Sequence, residues 1–401
     1  VRQCAGERGY EDEVVERVWD ILASFASFGF CKAHAAAFAL PTYQSAWLKR
    51  HYPAHFLAGI LTHDPGMYPK RLLLEEARQM GVEVLRLDVN VSAGSYKAER
   101  TEEGWGIRLS LADVAGITDD EVARITHAAP FTSITDFWQR ASVSRITAER
   151  LVMAGAFDAL YTIGGPAGVR AHAQVTRRDI LLALADLHAG TGKQPEGQHA
   201  FALVEADCLD VTPTGLPEMG DDERMQAELE ILGLDASSHV MTRYLPMLRA
   251  IGATPARVLG AQKQGMEVLV AGAKVATQTP PVRSGRRVIF LSLDDSTGVS
   301  DATFFEDVQG PYSATVFHSW LLLVRGTVRR TGRNGVSIRA TGAWALEHVH
   351  EAWLDALGRT NSPDDAVAAV DRIIDEQPSG RFTAPQGPRK LWYSSPGSVG
   401  R

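Results

Sequence analysis

Lys32 and His34 stand just after Gly29, at the head of a helix-forming run in which Ala35, Ala36 and Ala37 follow without interruption. Glycine permits a sharp chain reversal. The start of a helix offers free N–H groups and the positive end of the macrodipole to an anion, and a lysine placed there adds to the attraction. Small residues behind it let a flat ligand approach closely. The chemistry that suits this corner is capture of a triphosphate. A tightly packed helix pair, with Lys32 reaching out to water along its apolar stem, accounts for the same residues, and residue type alone leaves both readings open.

A second constellation runs from Leu111 through Gly116, Ile117 and Thr118 to Ile125. Apolar positions, a glycine turn and a following helix spell a helix-hairpin-helix, whose turn presents backbone N–H groups to a phosphate without reading bases. The second glycine expected in such a turn is replaced by Thr118, and Asp119 and Asp120 follow at once. Two carboxylates beside a phosphate would repel it, so a purely structural helical module stays open as well. A more degenerate copy of the pattern spans residues 145–157.

The third lies near the C-terminus. Phe290, Phe304, Phe305 and Trp320 are interleaved with Arg286, Arg287, Arg325, Arg329 and Arg330. Aromatic platforms for bases and a basic groove for the backbone are what single-stranded nucleic acid needs. Strand alternation sends at least half of those rings into a core, so the arginines are the stronger candidates.

Other chemistry is missing. His127, His172, His239, His318, His348 and His350 show no metal-ligand spacing with nearby acids, and the pair His348-x-His350 reads as a solvated strand end. No Asp-x-Asp sits beside a β-rich run, so the carboxylates that a two-metal phosphoryl transfer requires have no candidate. Cys4, Cys31 and Cys208 are scattered, which argues against a disulfide framework or thiolate zinc site and fits a reducing cytoplasm.

The elements that would position these groups follow from periodicity and punctuation. A helix over 11–28 ends at Gly29; a second, over 33–50, should be kinked or divided by Pro41, which removes one hydrogen bond and crowds the turn before it. Short helices follow over 53–60 and 70–80, then a strand over 82–90. Residues 105–160 read as short helices over 109–114, 119–125, 134–140 and 148–153, with another over 179–188. Gly- and Pro-rich stretches over 188–198 and 210–220 mark a linker zone, which a polar helix over 223–232 leaves. Five β-rich segments, 267–277, 286–294, 299–305, 320–329 and 336–341, carry an Asn334-Gly335 hairpin signal between the last two. Five strands with a long excursion after the third suit an OB-fold barrel; a small SH3-like barrel has a similar pattern. The tail beyond Thr383 is Pro-, Gly- and Ser-rich and reads as mobile.

The fold class is therefore multidomain α+β, mainly helical first and a five-stranded barrel after. Charge is segregated along it. Lys and Arg total 41 against 48 Asp and Glu, a net charge of −7, yet three runs hold bases and no acid: 21–63, 268–293 and 308–346. Three such runs in an acidic chain point to polyanion-facing surfaces separated by acidic connectors. No apolar run approaches the roughly 18 residues of a membrane span. The chain opens VRQCAGERGY with no methionine before Met67, and reads as the C-terminal piece of something longer.

The block FGFCKAHAAAFALPTYQSAWLKRHYPAHFLAGILTHDPGMYPKR closely resembles the end of the fingers domain in bacterial C-family DNA polymerases, the polymerase III α-subunit type. Replicative members read more like YGFNKSHAAAYA there. The Cys-Lys-Ala-His version, Pro41 and the THDPGMYPKR extension resemble the error-prone, damage-inducible branch, and the likeness covers most of residues 11–345. It implies that Lys32 and His34 lie on the incoming-nucleotide side, with Lys49 and Arg50 as backbone contacts; that the hairpin turn at Gly116, Ile117 and Thr118 touches the duplex; and that the barrel holds single-stranded DNA. It also implies Mg²⁺, held by palm aspartates upstream of Val1, and primed template DNA with a dNTP as substrates.

The divisions expected on that basis are the C-terminal part of the fingers (1–88), a helix-hairpin-helix module (89–190), an acidic linker (191–245), an OB-fold (246–345) and an acidic helix with a flexible tail (346–401). No clamp-binding peptide of the Gln-x-x-Leu-x-Phe kind is present, nor room for a large clamp-loader-binding domain. Both count against a replicative α subunit and imply access to the sliding clamp through an accessory translesion protein. A self-contained, non-catalytic DNA-binding module is the alternative from another class.

Overall fold

The computed structural model describes residues 2–26, 32–64, 66, 68–164, 174–191, 211–280, 288–331 and 335–376. The chain divides into two compact units, Val1–Phe56 and Leu57–Arg401.

The first unit is helical: α1 (Arg2–Glu7), α2 (Asp12–Ala26), α3 (Lys32–His51) and the beginning of α4 (Pro53–His63). Asp12 and Glu13 occupy the first turn of α2 and Lys49, Arg50 and His51 the last turn of α3, each sign matched to the helix end it sits on. α3 continues through Pro41 as one helix, so the expected division is not found. Large apolar side chains remain exposed along both helices, among them Val14, Val18, Ile21 and Leu22 on α2 and Phe38, Tyr43 and Trp47 on α3.

The second unit begins with the rest of α4 and α5 (Lys70–Gln79), then a three-stranded sheet of β1 (Glu83–Leu85), β2 (Lys97–Thr101) and β3 (Gly104–Arg108) in the order β1-β3-β2. The strand expected over 82–90 is thus only three residues long, and β3 falls at the start of the 105–160 stretch read as short helices; the helix over 109–114 shrinks to a 3₁₀ turn, Leu111–Asp113. Then come α6 (Asp119–Ala128), α7 (Ile134–Ala141), α8 (Arg145–Met153), α9 (Asp158–Tyr161) and α10 (Arg177–Thr191). Their starts are written locally: Thr118, Ser133 and Ser144 each accept a backbone N–H from the first turn of the helix that follows. Phe131, Phe137 and Phe157 pack edge to face with centroids 5.0 Å apart at the centre of this module.

α11 (Asp221–Leu232) reads as polar but buries Met225, Ala227, Leu229, Ile231 and Leu232, and ends at Gly233 in the left-handed conformation. A 3₁₀ segment (Val240–Tyr244), α12 (Leu245–Ala250) and α13 (Ala256–Leu259) lead into the barrel. β4 (Glu267–Gln278), β5 (Ile289–Asp294), β6 (Val299–Phe304), β7 (Leu321–Thr331) and β8 (Gly335–Ala345) close in the order β4-β5-β6-β8-β7, with α14 (Glu306–His318) filling the excursion after the third strand. Every pairing is antiparallel except β6 with β8, where Ala302 faces Ile338. Inward residues such as Val270, Leu291, Leu293, Phe304, Val324 and Ile338 are fully buried; each large one stabilises by roughly 1.5–3 kcal/mol. Gly326 sits at the β7 bulge, where a Cβ would meet the Arg339 carbonyl at 2.4 Å, so no other residue fits there. Thr331 pairs with Gly335, but Asn334 of the expected hairpin signal lies outside the described residues, as does the tail beyond 376.

α15 (Leu346–Thr360) and α16 (Pro363–Asp375) pack behind the barrel. His348 and His350 are therefore helical, not at a solvated strand end. His350 is buried between Tyr244 (4.8 Å) and Trp353 (5.9 Å) because the Leu346 face of α15 turns inward.

Candidate nucleic-acid interface

At the head of α3, Lys32 is the first helical residue, and its side chain and Gly29 lie outside the described residues. His34 is exposed, with its ring 4.5 Å from that of Phe38, and Ala35 to Ala37 are exposed beside it. At the other end Lys49 is half-buried and Arg50 exposed, next to a run of rings: Trp47 lies 4.7 Å from His51 and 5.7 Å from Tyr52. α3 itself carries these cations and rings, Tyr52 apart, and no Asp or Glu.

In the hairpin module, Gly116 has φ +75° and closes the turn before α6. The Ile117 N–H donates to the Val114 carbonyl (3.0 Å), the Thr118 N–H to the Glu121 carboxylate (3.0 Å), and the neighbouring Ala115 N–H to the Ile231 carbonyl of α11 (2.8 Å). Arg150 of α8 donates to the Ala115 carbonyl and lies where a Gly116 Cβ would go. Two of the three turn residues singled out by sequence thus donate their N–H groups within the module. Glu121 ties the hairpins together, accepting from Ser144 N–H (2.8 Å) and the Thr147 hydroxyl (3.1 Å) as well. Burial opposes its charge, but the bonds from Ser144, Thr118 and Thr147 outweigh that and hold its pKa below the ordinary glutamate value.

On the barrel the arginines divide. Arg286 and Arg287 lie outside the described residues. Arg325 is shared between Asp375 (3.0 Å), Glu267 (3.8 Å) and the Trp344 ring. Arg330 donates to the carbonyls of Gly260 and Gln262. Arg329 is exposed on β7. Arg339, which sequence reasoning left off its list, is exposed, 3.1 Å from Asp307 and over the Phe305 ring. Of the four aromatics, Phe304 is buried, Phe305 and Trp320 are partly covered, and Phe290 is 42% exposed.

A buried polar junction joins α5 and the segment after α11 to the barrel, and no sequence spacing announced it. Arg71 of α5 donates to the Lys274 carbonyl (3.0 Å) and lies over the Trp320 ring (5.4 Å). His239 accepts the Met241 N–H on Nδ1 (3.1 Å), so its Nε2 carries the proton and donates to Asp294 (3.2 Å). Burial works against the Asp294 charge, yet His239, the Ser296 N–H and Arg71 keep its pKa low. Lys274 caps the end of α14 by donating to the Val316 and Phe317 carbonyls (both 2.9 Å), and burial pulls its pKa down to about 8.

Among the described residues no three His, Cys, Asp or Glu side chains converge so as to hold a metal ion, and no helix is long and apolar enough to cross a membrane.

A helical hairpin module followed by a five-stranded closed barrel defines a chain built from two nucleic-acid-binding folds. Residues 81–163 match the helix-hairpin-helix motif family, and 268–346 the OB-fold nucleic acid binding domain family. An error-prone DNA polymerase of Symbiobacterium thermophilum is 35% identical over 356 residues, covering 79% of this chain and 32% of that protein. One of Nocardia farcinica is 34% identical over 335 residues (82% and 28%), and a DNA polymerase III subunit alpha of Xylella fastidiosa 28% over 375 (86% and 30%). The chain is homologous to the C-terminal region of the error-prone DNA polymerases and DNA polymerase III α subunits, and spans about a third of the length of these relatives.

Proposed function

We propose that this chain is the DNA-handling C-terminal part of an error-prone DNA polymerase acting in repair and translesion synthesis in the cytoplasm. The observation that carries the reading is the likeness to error-prone polymerases, at 31–35% identity over about four-fifths of the chain, against 27–28% for the α subunits. In this reading residues 1–88 complete the fingers, with Lys32 and His34 on the nucleotide side and Lys49 and Arg50 toward the DNA backbone. The hairpin module at Gly116, Ile117 and Thr118 follows the duplex, and the barrel takes the single strand through Arg329 and the Arg286–Arg287 pair, while Arg325 and Arg330 hold the barrel's own fold. Among the described residues no three acids or histidines converge to hold Mg²⁺; in this reading its ligands are supplied by another part of the parent enzyme. An accessory translesion protein would link it to the sliding clamp.

Primer extension by the parent enzyme tests this. Lys32→Ala should raise the apparent dNTP KM or lower the rate, and the unmodified enzyme should extend past a templating abasic site. Stalling at the lesion would refute the translesion reading; unchanged kinetics in Lys32→Ala would take Lys32 away from the nucleotide.

A further inference from the structure

Arg71 is buried, and its two terminal nitrogens are unequally used. Nη2 donates to the Lys274 carbonyl on the barrel at 3.0 Å, while Nη1 has no hydrogen-bond partner. Asp235 shows the complementary gap. It is 1% exposed; its Oδ2 accepts the Val240 N–H (3.1 Å), and its Oδ1 has no partner. The guanidinium also feels the field of Asp235, and after it that of Asp294. A buried unmatched donor beside a buried unmatched acceptor of opposite charge is a costly arrangement, one that a change of partner would relieve.

The two candidate partners of Arg71 lie on different elements, Lys274 on β4 and Asp235 in the stretch between α11 and the 3₁₀ segment. Arg78, two turns along α5, donates to the Asp235 and Ala236 carbonyls, both at 2.9 Å, which fixes Asp235 to the helix. Lys274 and Trp320 belong to the barrel, where the Lys274 N–H donates to the Trp320 carbonyl (2.8 Å) and the register slips between Lys274 and Ala276. Turning Arg71 from Lys274 to Asp235 would satisfy the helix side and release this barrel corner, while His239 and Asp294 keep the barrel tethered.

We infer that Arg71 is a two-position latch between α5 and the barrel, docked on the Lys274 carbonyl and Trp320 or turned onto Asp235. It sets how firmly the barrel is held, whatever the barrel binds.

¹⁹F NMR of the 401-residue chain labelled with 5-fluorotryptophan tests it. The chain has eight tryptophans, and Trp320→Phe assigns the resonance that reports the Arg71 contact. The latch requires microsecond-to-millisecond exchange at Trp320, seen as relaxation dispersion or a second peak. Asp235→Asn removes the competing charge and should abolish the exchange at the docked shift; Arg71→Met should abolish it at a different shift. A single dispersion-free Trp320 resonance in the unmodified protein overturns the latch without recourse to any variant. Exchange that survives in either folded variant overturns it too, and the other seven resonances report whether each variant is folded.

Discussion

The Glu121 carboxylate accepts the backbone N–H of Ser144 at 2.8 Å across 23 residues of sequence. Its other oxygen takes the Thr118 N–H at 3.0 Å, so one buried side chain closes the N-terminal turns of both α6 and α8. The spacing between the two hairpins is therefore set by a single group, placed by a capping box that any reader of the sequence would assign to α6 alone. Glu121→Gln should destabilise the hairpin module by about 1–3 kcal/mol, because an amide turns a donor toward N–H groups that need an acceptor. Urea unfolding at pH 7 reads this directly. Since the native carboxyl titrates below its ordinary value of 4.5, its contribution is complete above that value and is lost as pH falls through the native one. The gap between wild type and Glu121→Gln should consequently narrow in acid. A gap independent of pH would mean the carboxylate's charge is not what holds the turns.

Arg177 and Asp158 form an enclosed pair, with bonds of 2.8 and 2.5 Å, and Arg177 also donates to the Met153 carbonyl (2.8 Å). Burial acts against the Arg177 charge, but Asp158 and the acids behind it outweigh that and raise its pKa. Arg177→Met should cost about 3–5 kcal/mol, since it leaves the buried Asp158 carboxylate to the longer contact with the half-exposed Arg86 (3.7 Å). Arg177→Met combined with Asp158→Leu should regain part of that loss, because the desolvation penalty of the stranded charge disappears. Thermal unfolding of the two variants side by side distinguishes a stranded charge from simple loss of packing, for which the double variant would be the worse.

Lys274 offers a test in the alkaline range. Its pKa is about 8 in the folded chain against an ordinary 10.5, so between these values the unfolded chain binds more protons. Stability should then rise with pH above about 8, and Lys274→Met should flatten the rise. The useful window closes near pH 10. Burial raises Tyr244 to about 12, and a tyrosine held protonated in the folded state makes stability fall once its unfolded counterpart ionises. Unfolding midpoints at half-unit steps from pH 7.5 to about 10 measure the slope.

What the sequence made legible was whatever is written in neighbouring residues. The helices over 134–140 and 148–153, the β-rich runs that become β4 to β8, and the long excursion that becomes α14 all declare themselves locally. The β2–β3 hairpin did not, because Lys97, Glu99 and Arg100 put charges where β-formers are expected, and the strand is held by pairing and by Arg108 on Glu99 (2.9 Å). The helix over 223–232 was legible and is α11, but its burial was not, since its acidic residues hide an apolar face that only the packing reveals. The Arg71 junction gathers residues 71, 235, 239, 274, 294 and 320, and no periodicity can announce a meeting spread over some 250 positions. Among the barrel cations, composition could name the set but not say which were already spoken for.

That distinction yields the last prediction. Arg330 gives its guanidinium to two backbone carbonyls, whereas the adjacent Arg329 stands out from β7 in water. If the barrel holds a single strand, a phosphate contact at Arg329 contributes by releasing a counterion. Its loss in Arg329→Ala should weaken binding and reduce the log–log salt slope by about 0.7. Arg330→Ala should act through the 260–262 segment, lowering the stability of the barrel while leaving the salt slope of the folded fraction intact. Fluorescence anisotropy with a labelled oligothymidine at four salt concentrations, paired with a urea titration of each variant, separates the two roles. Equal salt slopes for wild type and Arg329→Ala would remove Arg329 from the path of the strand and leave the barrel's cations as supports of its own fold.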